Sequence, residues 1–151
     1  MPGSMDEENR KSIMLTKEDM RKLQVLQNSV MRITTSSRYD TLISELLRKC
    51  DQLSIHQLMG YHTATQVYSI RKNRFPLYHF ERLFGGNNSL RSASNLESRV
   101  EFKSSLGRGS FFYQGSRLWN YLPNSLKNAP DIKMFKLMTK PWIKYHISIR
   151  P

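Results

Sequence analysis

One cysteine, Cys50, is all the chain has in 151 residues. A single thiol closes no internal disulfide, which argues against a disulfide-stapled secreted scaffold and for a reducing compartment, nuclear or cytoplasmic. No apolar run approaches the roughly 20 residues that a membrane span needs, and no signal peptide is visible, so no membrane role is expected. The four histidines are His56, His62, His79 and His146. None forms the i, i+4 pair of a zinc helix, and one cysteine supplies no thiolate cluster. The aspartates are Asp6, Asp19, Asp40, Asp51 and Asp131, with no close pair to hold two metals. No cofactor is expected, and a stand-alone enzyme is not the reading that these residues favour.

Acidic residues are also scarce, 12 against 24 lysines and arginines, giving a formal net charge of +12. Eight of the acids precede residue 52, whereas residues 71–117 hold nine basic and three acidic residues. A basic surface of this kind either keeps a protein in solution or meets a partner that carries phosphates. A 38% hydrophobic and 11% aromatic content supplies one modest core and argues against a disordered chain. The opening Met-Pro-Gly-Ser before Met5 reads as a cloning scar, and residues 1–12 are expected to be a tag remnant and disordered N-terminus. Residues 13–151 are expected to form a single helical domain.

The expected class is mainly α, four or five helices with one small antiparallel β-hairpin near residues 99–114. Thr16 with Asp19 resembles a capping box, and Leu23, Leu26, Val30 and Ile33 recur as one apolar helix face. Asp40 can cap a short helix, Ser54 a longer one ending at Arg71-Lys72-Asn73-Arg74, and Pro76 can start a helix over 77–84. Val100, Phe102, Phe111 and Tyr113 alternate with polar residues about a Gly-bearing loop, the basis of the expected hairpin. Gly115 is expected to free the chain from it and Ser116 to cap a helix carrying Leu118, Trp119 and Leu122. Asp131 caps the last helix, where Pro141 should kink or divide the chain.

On that last helix Lys133, Lys136, Lys140 and Lys144 fall within about 80° of arc. Phe135, Met138, Trp142 and Tyr145 take the opposite side as a core stripe. A lysine stripe can be merely a solvated face. This one lacks interleaved acids, which favours phosphate contact. Between Arg99 and Tyr121 aromatic residues interleave with cations, the pattern of a single-strand stacking platform, although Phe111, Tyr113 and Trp119 serve equally as a small core. Gly107-Arg108-Gly109-Ser110 lacks the Walker spacing and lysine, but as a loop tip it could present Arg108 to a backbone. The candidate nucleic-acid contacts are therefore Arg71, Lys72, Arg74, Arg91, Arg99, Lys103, Arg108, Arg117, Lys133, Lys136, Lys140 and Lys144.

The order of segments carries a resemblance. Leu23-Gln24-Val25-Leu26-Gln27-Asn28, with Arg32-Ile33-Thr34-Thr35 after it, resembles the L-Q-x-L-Q-N-x-x-x-R-I-I-T segment that follows the catalytic core of non-LTR (LINE-type, jockey-like) retrotransposon reverse transcriptases. Tyr39-Asp40, Leu46-Leu47, Val67-Tyr68 and Leu90-Arg91-Ser92 are similar to later elements of the same family in the same order. Arg117-Leu118-Trp119-Asn120-Tyr121-Leu122-Pro123 is close to its R-L-W-N-S-L-P. The resemblance covers roughly residues 20–146. It implies the thumb-proximal, post-polymerase region of an RNA-directed DNA polymerase, as a fragment or domesticated derivative without the catalytic fingers and palm. It implies further a non-catalytic module that holds nucleic acid, with RNA or an RNA–DNA duplex favoured over free duplex DNA. The alternative is a domesticated protein–protein or self-associating regulatory module, with Phe75, Phe80 and Phe84 as its surface.

Overall fold

Thr16 opens the first helix through a reciprocal cap. Its hydroxyl accepts the Asp19 amide at 3.1 Å, and the Asp19 carboxylate accepts the Thr16 amide at 3.1 Å. A computed structural model of the chain describes residues 16–84 and 110–150. Among these it forms seven α-helices: α1 (Lys17–Thr35), α2 (Ile43–Cys50), α3 (Ile55–Asn73), α4 (Leu77–Phe84), α5 (Phe111–Tyr121), α6 (Asn124–Lys127) and α7 (Ile132–His146). The expected N-terminal tag remnant lies outside the described residues.

Other helix starts follow the same local chemistry. Ser54 Oγ accepts the Gln57 amide at 3.2 Å while Gln57 Oε1 accepts the Ser54 amide at 3.1 Å, a second capping box at the head of α3. Asp131 Oδ1 accepts the Met134 amide at 2.8 Å and caps α7. Asp40 does not cap α2. It stands two residues before the uncapped Leu42 and pairs instead with Arg38 Nε at 3.3 Å.

The described residues fall into two compact units, 16–58 with 147–150, and 59–84 with 110–146. In the first, Met31, Leu46 and Leu47 form a small core, with Ile43, Cys50 and Ile149 packed on it. The apolar face expected of α1 is not the one it buries: Leu26, Val30 and Ile33 are 62%, 62% and 79% exposed. A polar face turns inward in their place. Gln24 Oε1 accepts the Ile55 amide at 2.9 Å, Gln27 Nε2 donates to Leu53 O at 2.7 Å, and Gln24 Nε2 bridges to Asn28 Oδ1 at 2.9 Å. The first two bonds give partners to the Ile55 amide and the Leu53 carbonyl in the α2–α3 turn.

The second unit packs around Trp119 and Phe135, both fully buried. Tyr68 stacks on Phe135 with ring centroids 4.3 Å apart and donates its hydroxyl to Ala129 O at 2.7 Å. The hairpin expected near residues 99–114 does not form: Phe111–Tyr113, its second strand, are the first turn of α5, and no strand occurs among the described residues. Residues 99–109 lie outside them. The reason is the cap at Ser110, whose Oγ accepts the Tyr113 amide at 3.4 Å, and a helical repeat through Phe111, Gly115 and Trp119 that buries one face. Gly115 and Ser116 accordingly sit buried inside α5 rather than at its start. Pro141 does not divide α7, which runs unbroken from Ile132 to His146. Phe135, Thr139 and Ile143 form its buried line, and Tyr145, expected in the core, is 90% exposed.

Candidate nucleic-acid interface

Charge is divided unequally between the two units. By sequence the described part of the second holds ten basic and two acidic residues, against eight and five in the first. The basic residues of this unit lie on α3, α4, α5, α6 and α7 or, for Arg74, just past the end of α3.

On α7 the residues after Asp131 include no acid at all. Lys133, Lys136 and Lys144 are exposed and Lys140 is half-buried, so the stripe read from the sequence lies along an uninterrupted helix flanking its buried line. The rise of 1.5 Å per residue spaces Lys133, Lys136, Lys140 and Lys144 over about 16 Å, a length that can follow several phosphates.

At the C-terminal end of α3, Arg71, Lys72 and Arg74 meet a fourth cation that the sequence reading passed over. They share with Lys127, at the end of α6, the lining of a cavity of about 380 Å³, which Tyr68, Asn128 and Pro130 help to close. Each side chain has a defined seat. The Arg71 guanidinium carbon lies 5.3 Å from the centroid of the Trp119 ring, and that of Arg74 lies 5.6 Å from Phe80. Lys72 Nζ donates to Pro130 O at 3.1 Å. Lys127 is only 5% exposed. Burial lowers the pKa of both Arg71 and Lys127, and the neighbouring Arg71 charge lowers that of Lys127 further. Two cations thus lie close enough to feel one another in a partly desolvated place.

Arg117 is set apart from this group. It stacks over Tyr113, 5.4 Å from the ring centroid, and donates Nη1 to the Tyr113 hydroxyl at 3.2 Å. A second arginine–aromatic seat, absent from the candidate residues, lies on α4. Arg82 sits 4.6 Å from the Phe112 ring centroid and donates to the Tyr78 hydroxyl at 2.9 Å. The i, i+4 spacing from Tyr78 to Arg82 was the available signal for it. Lys127 had none, since it sits between Leu126 and Asn128 with no pattern around it. Arg91, Arg99, Lys103 and Arg108 lie outside the described residues.

Trp119, the centre of the R-L-W-N element, is core and not a stacking platform. Phe80 and Phe84, offered as a partner surface, pack against the core of the second unit, and only Phe75, 74% exposed, remains open. Among the described residues no three His, Cys, Asp or Glu side chains converge as a metal site, and no helix is long and apolar enough to cross a membrane. No family model, no curated protein and no solved structure matches the chain.

Proposed function

We propose that the chain is a non-catalytic nucleic-acid-binding module that engages the sugar-phosphate backbone through its second unit. The observation that carries this reading is the acid-free lysine line of α7, held on one continuous helix, whose four lysines are among the ten basic residues that face two acidic ones in the described part of the second unit. RNA or an RNA–DNA duplex is the favoured ligand, on the resemblance of Leu23–Thr35 and Arg117–Pro123 to the post-polymerase region of non-LTR reverse transcriptases. In this reading, supported by the same resemblance and the single cysteine, the module works inside the cell, in nucleus or cytoplasm.

Backbone binding of this kind releases counterions, so affinity should fall steeply with salt. Each lysine that meets a phosphate contributes about 0.9 to the slope of log K against log salt on duplex and about 0.7 on single strands. Replacing Lys133, Lys136 and Lys144 by glutamine should flatten the slope by roughly that amount per residue without unfolding α7, since all three are exposed. Binding that is insensitive to salt, or no binding to RNA at low salt, would refute the proposal.

A second reading is favoured by one observation, the exposed Leu26, Val30 and Ile33 of α1. With Leu23 they repeat at intervals of three and four, the spacing of a helix seam. Self-association through this seam is compatible with nucleic-acid binding elsewhere, and solution mass decides it.

A further inference from the structure

We propose that the rings of Tyr121, Trp142, Tyr145 and His146 form a stacking surface for the unpaired bases of a single-stranded RNA. The proposal deepens the nucleic-acid reading and rests on it for the anionic partner; the preference for unpaired bases is argued from the rings themselves.

The four rings are contiguous. Tyr121, the last residue of α5, meets Trp142 edge to face with ring centroids 5.3 Å apart. Trp142 stacks on His146 at 4.5 Å with an interplanar angle of 16°, and His146 lies 5.7 Å from Tyr145. A hydrogen bond holds the imidazole in that stack. His146 Nδ1 lies 3.0 Å from Trp142 O, and since a carbonyl oxygen can only accept, the ring nitrogen donates.

The core of the second unit leaves most of this surface uncovered. Tyr121 is 59% exposed and Tyr145 is 90% exposed. His146 is exposed as well, and only Trp142 is half-buried. Exposed aromatic residues scattered singly are ordinary, whereas a run of touching rings is a patch fit for a partner.

The chemistry of that partner follows from the setting. Three of the rings belong to α7, which carries the line of four lysines and no acid after Asp131. Asp131 caps the opposite end of the helix, 15 residues before His146, or about 22 Å along the axis. Flat rings at the end of a basic helix suit an anionic polymer that has flat rings of its own. In a duplex the bases stack on one another and offer only their edges. Faces free to stack belong to a single strand, where aromatic side chains and cations together take base and backbone. A lipid surface also draws tyrosine and tryptophan, but it needs aliphatic side chains to enter the acyl boundary. The array contains none, and the exposed Leu137 lies nine residues before His146, about 14 Å along the axis.

The test uses the whole chain and follows affinity against salt. Its probes are an unstructured RNA of about 12 nucleotides, the same strand annealed to its complement, and vesicles of phosphatidylserine with phosphatidylcholine. Stacking releases no counterions, so loss of a ring weakens binding without changing the salt slope, whereas loss of a phosphate contact flattens it. Tyr145→Ala and Tyr121→Leu should each weaken single-strand binding about fivefold or more at every salt concentration, the worth of one stacked base, and leave duplex binding unchanged. Tyr145 is almost fully exposed, so its variant keeps the test valid if Tyr121→Leu fails to fold. Salt-dependent binding of the single strand with equal affinity in wild type and both variants would overturn the proposal and leave the phosphate reading standing. Equal losses on single strand and duplex would also overturn it, because paired bases have no free faces. Vesicle binding that depends on the two tyrosines, with RNA binding that does not, would assign the rings to a lipid surface instead. No binding of either RNA at low salt would overturn the nucleic-acid reading itself, and the proposal with it.

Discussion

At Gly115 helices α3 and α5 come as near as their atoms allow. A Cβ built there would stand 3.0 Å from Val67 Cγ2, and Val67 is fully buried with a stiff, β-branched side chain that has nowhere to turn. Gly60, also inside a helix, differs: its added Cβ would meet Ile143 Cδ1 at 3.8 Å, an ordinary contact. Helix propensity alone gains about 1 kcal/mol for either glycine-to-alanine change. Overpacking of a tight core costs about 1–3 kcal/mol, which outweighs that gain at one site and is absent at the other. Denaturant titration should therefore find Gly115→Ala destabilised by up to about 2 kcal/mol and Gly60→Ala stabilised by up to about 1 kcal/mol. Equal effects at the two sites would show that the close approach of α3 and α5 is wrong. The sequence showed that Gly115 mattered but gave it the wrong duty. A glycine before Ser-Arg-Leu-Trp suggests a chain break, and only the neighbouring helix reveals that what it supplies is room.

At the scale of elements, three helix starts were written locally, whereas the caps expected of Asp40 and Ser116 and the buried face of α1 were not. Thr16 with Asp19, Ser54 with Gln57, and Asp131 each place their own caps, because capping needs only the next three residues. Which face of α1 is buried depends instead on a turn some 26 to 31 residues away, whose backbone is answered by Gln24 and Gln27. Hydrophobic periodicity sees Leu23, Leu26, Val30 and Ile33 and cannot see that demand. The strand expected at Phe111–Tyr113 failed for a related reason: three residues fit either period, and burial of Gly115 and Trp119 on one helical face decides between them. The α1 result has a direct test. Leu26→Ser and Ile33→Ser should each change stability by no more than about 0.5 kcal/mol, whereas Met31→Ala, at a site 3% exposed, should cost about 2–5 kcal/mol. Light scattering on the same proteins reads the seam: a mass above that of one chain that returns to it in Ile33→Ser supports self-association, and a single-chain mass in the wild type removes it.

For the whole molecule the imbalance of charge governs behaviour before any ligand is present. Ten basic and two acidic residues in the described part of the second unit repel one another across a surface whose Debye length is about 10 Å at 0.1 M salt. Salt also weakens attractive pairs. Those of Arg21 with Glu18, Arg38 with Asp40 and Lys49 with Glu45 lie on exposed side chains of the first unit. Exposed pairs contribute about 0–1 kcal/mol each and lose only part of that on screening. Relief of repulsion should win, because it acts among many like charges at distances that screening reaches, while the pairs are close and already weak. Raising sodium chloride from about 0.02 M to about 0.5 M, with no nucleic acid added, should lift the melting temperature by about 2–4 °C, equivalent to about 1 kcal/mol for a chain of this length. A melting temperature that falls with salt would mean that attractive pairs dominate, and that the basic surface is already neutralised within the chain. That outcome would also weaken the proposal of a phosphate partner, since a surface with its charge balanced internally has few counterions to release.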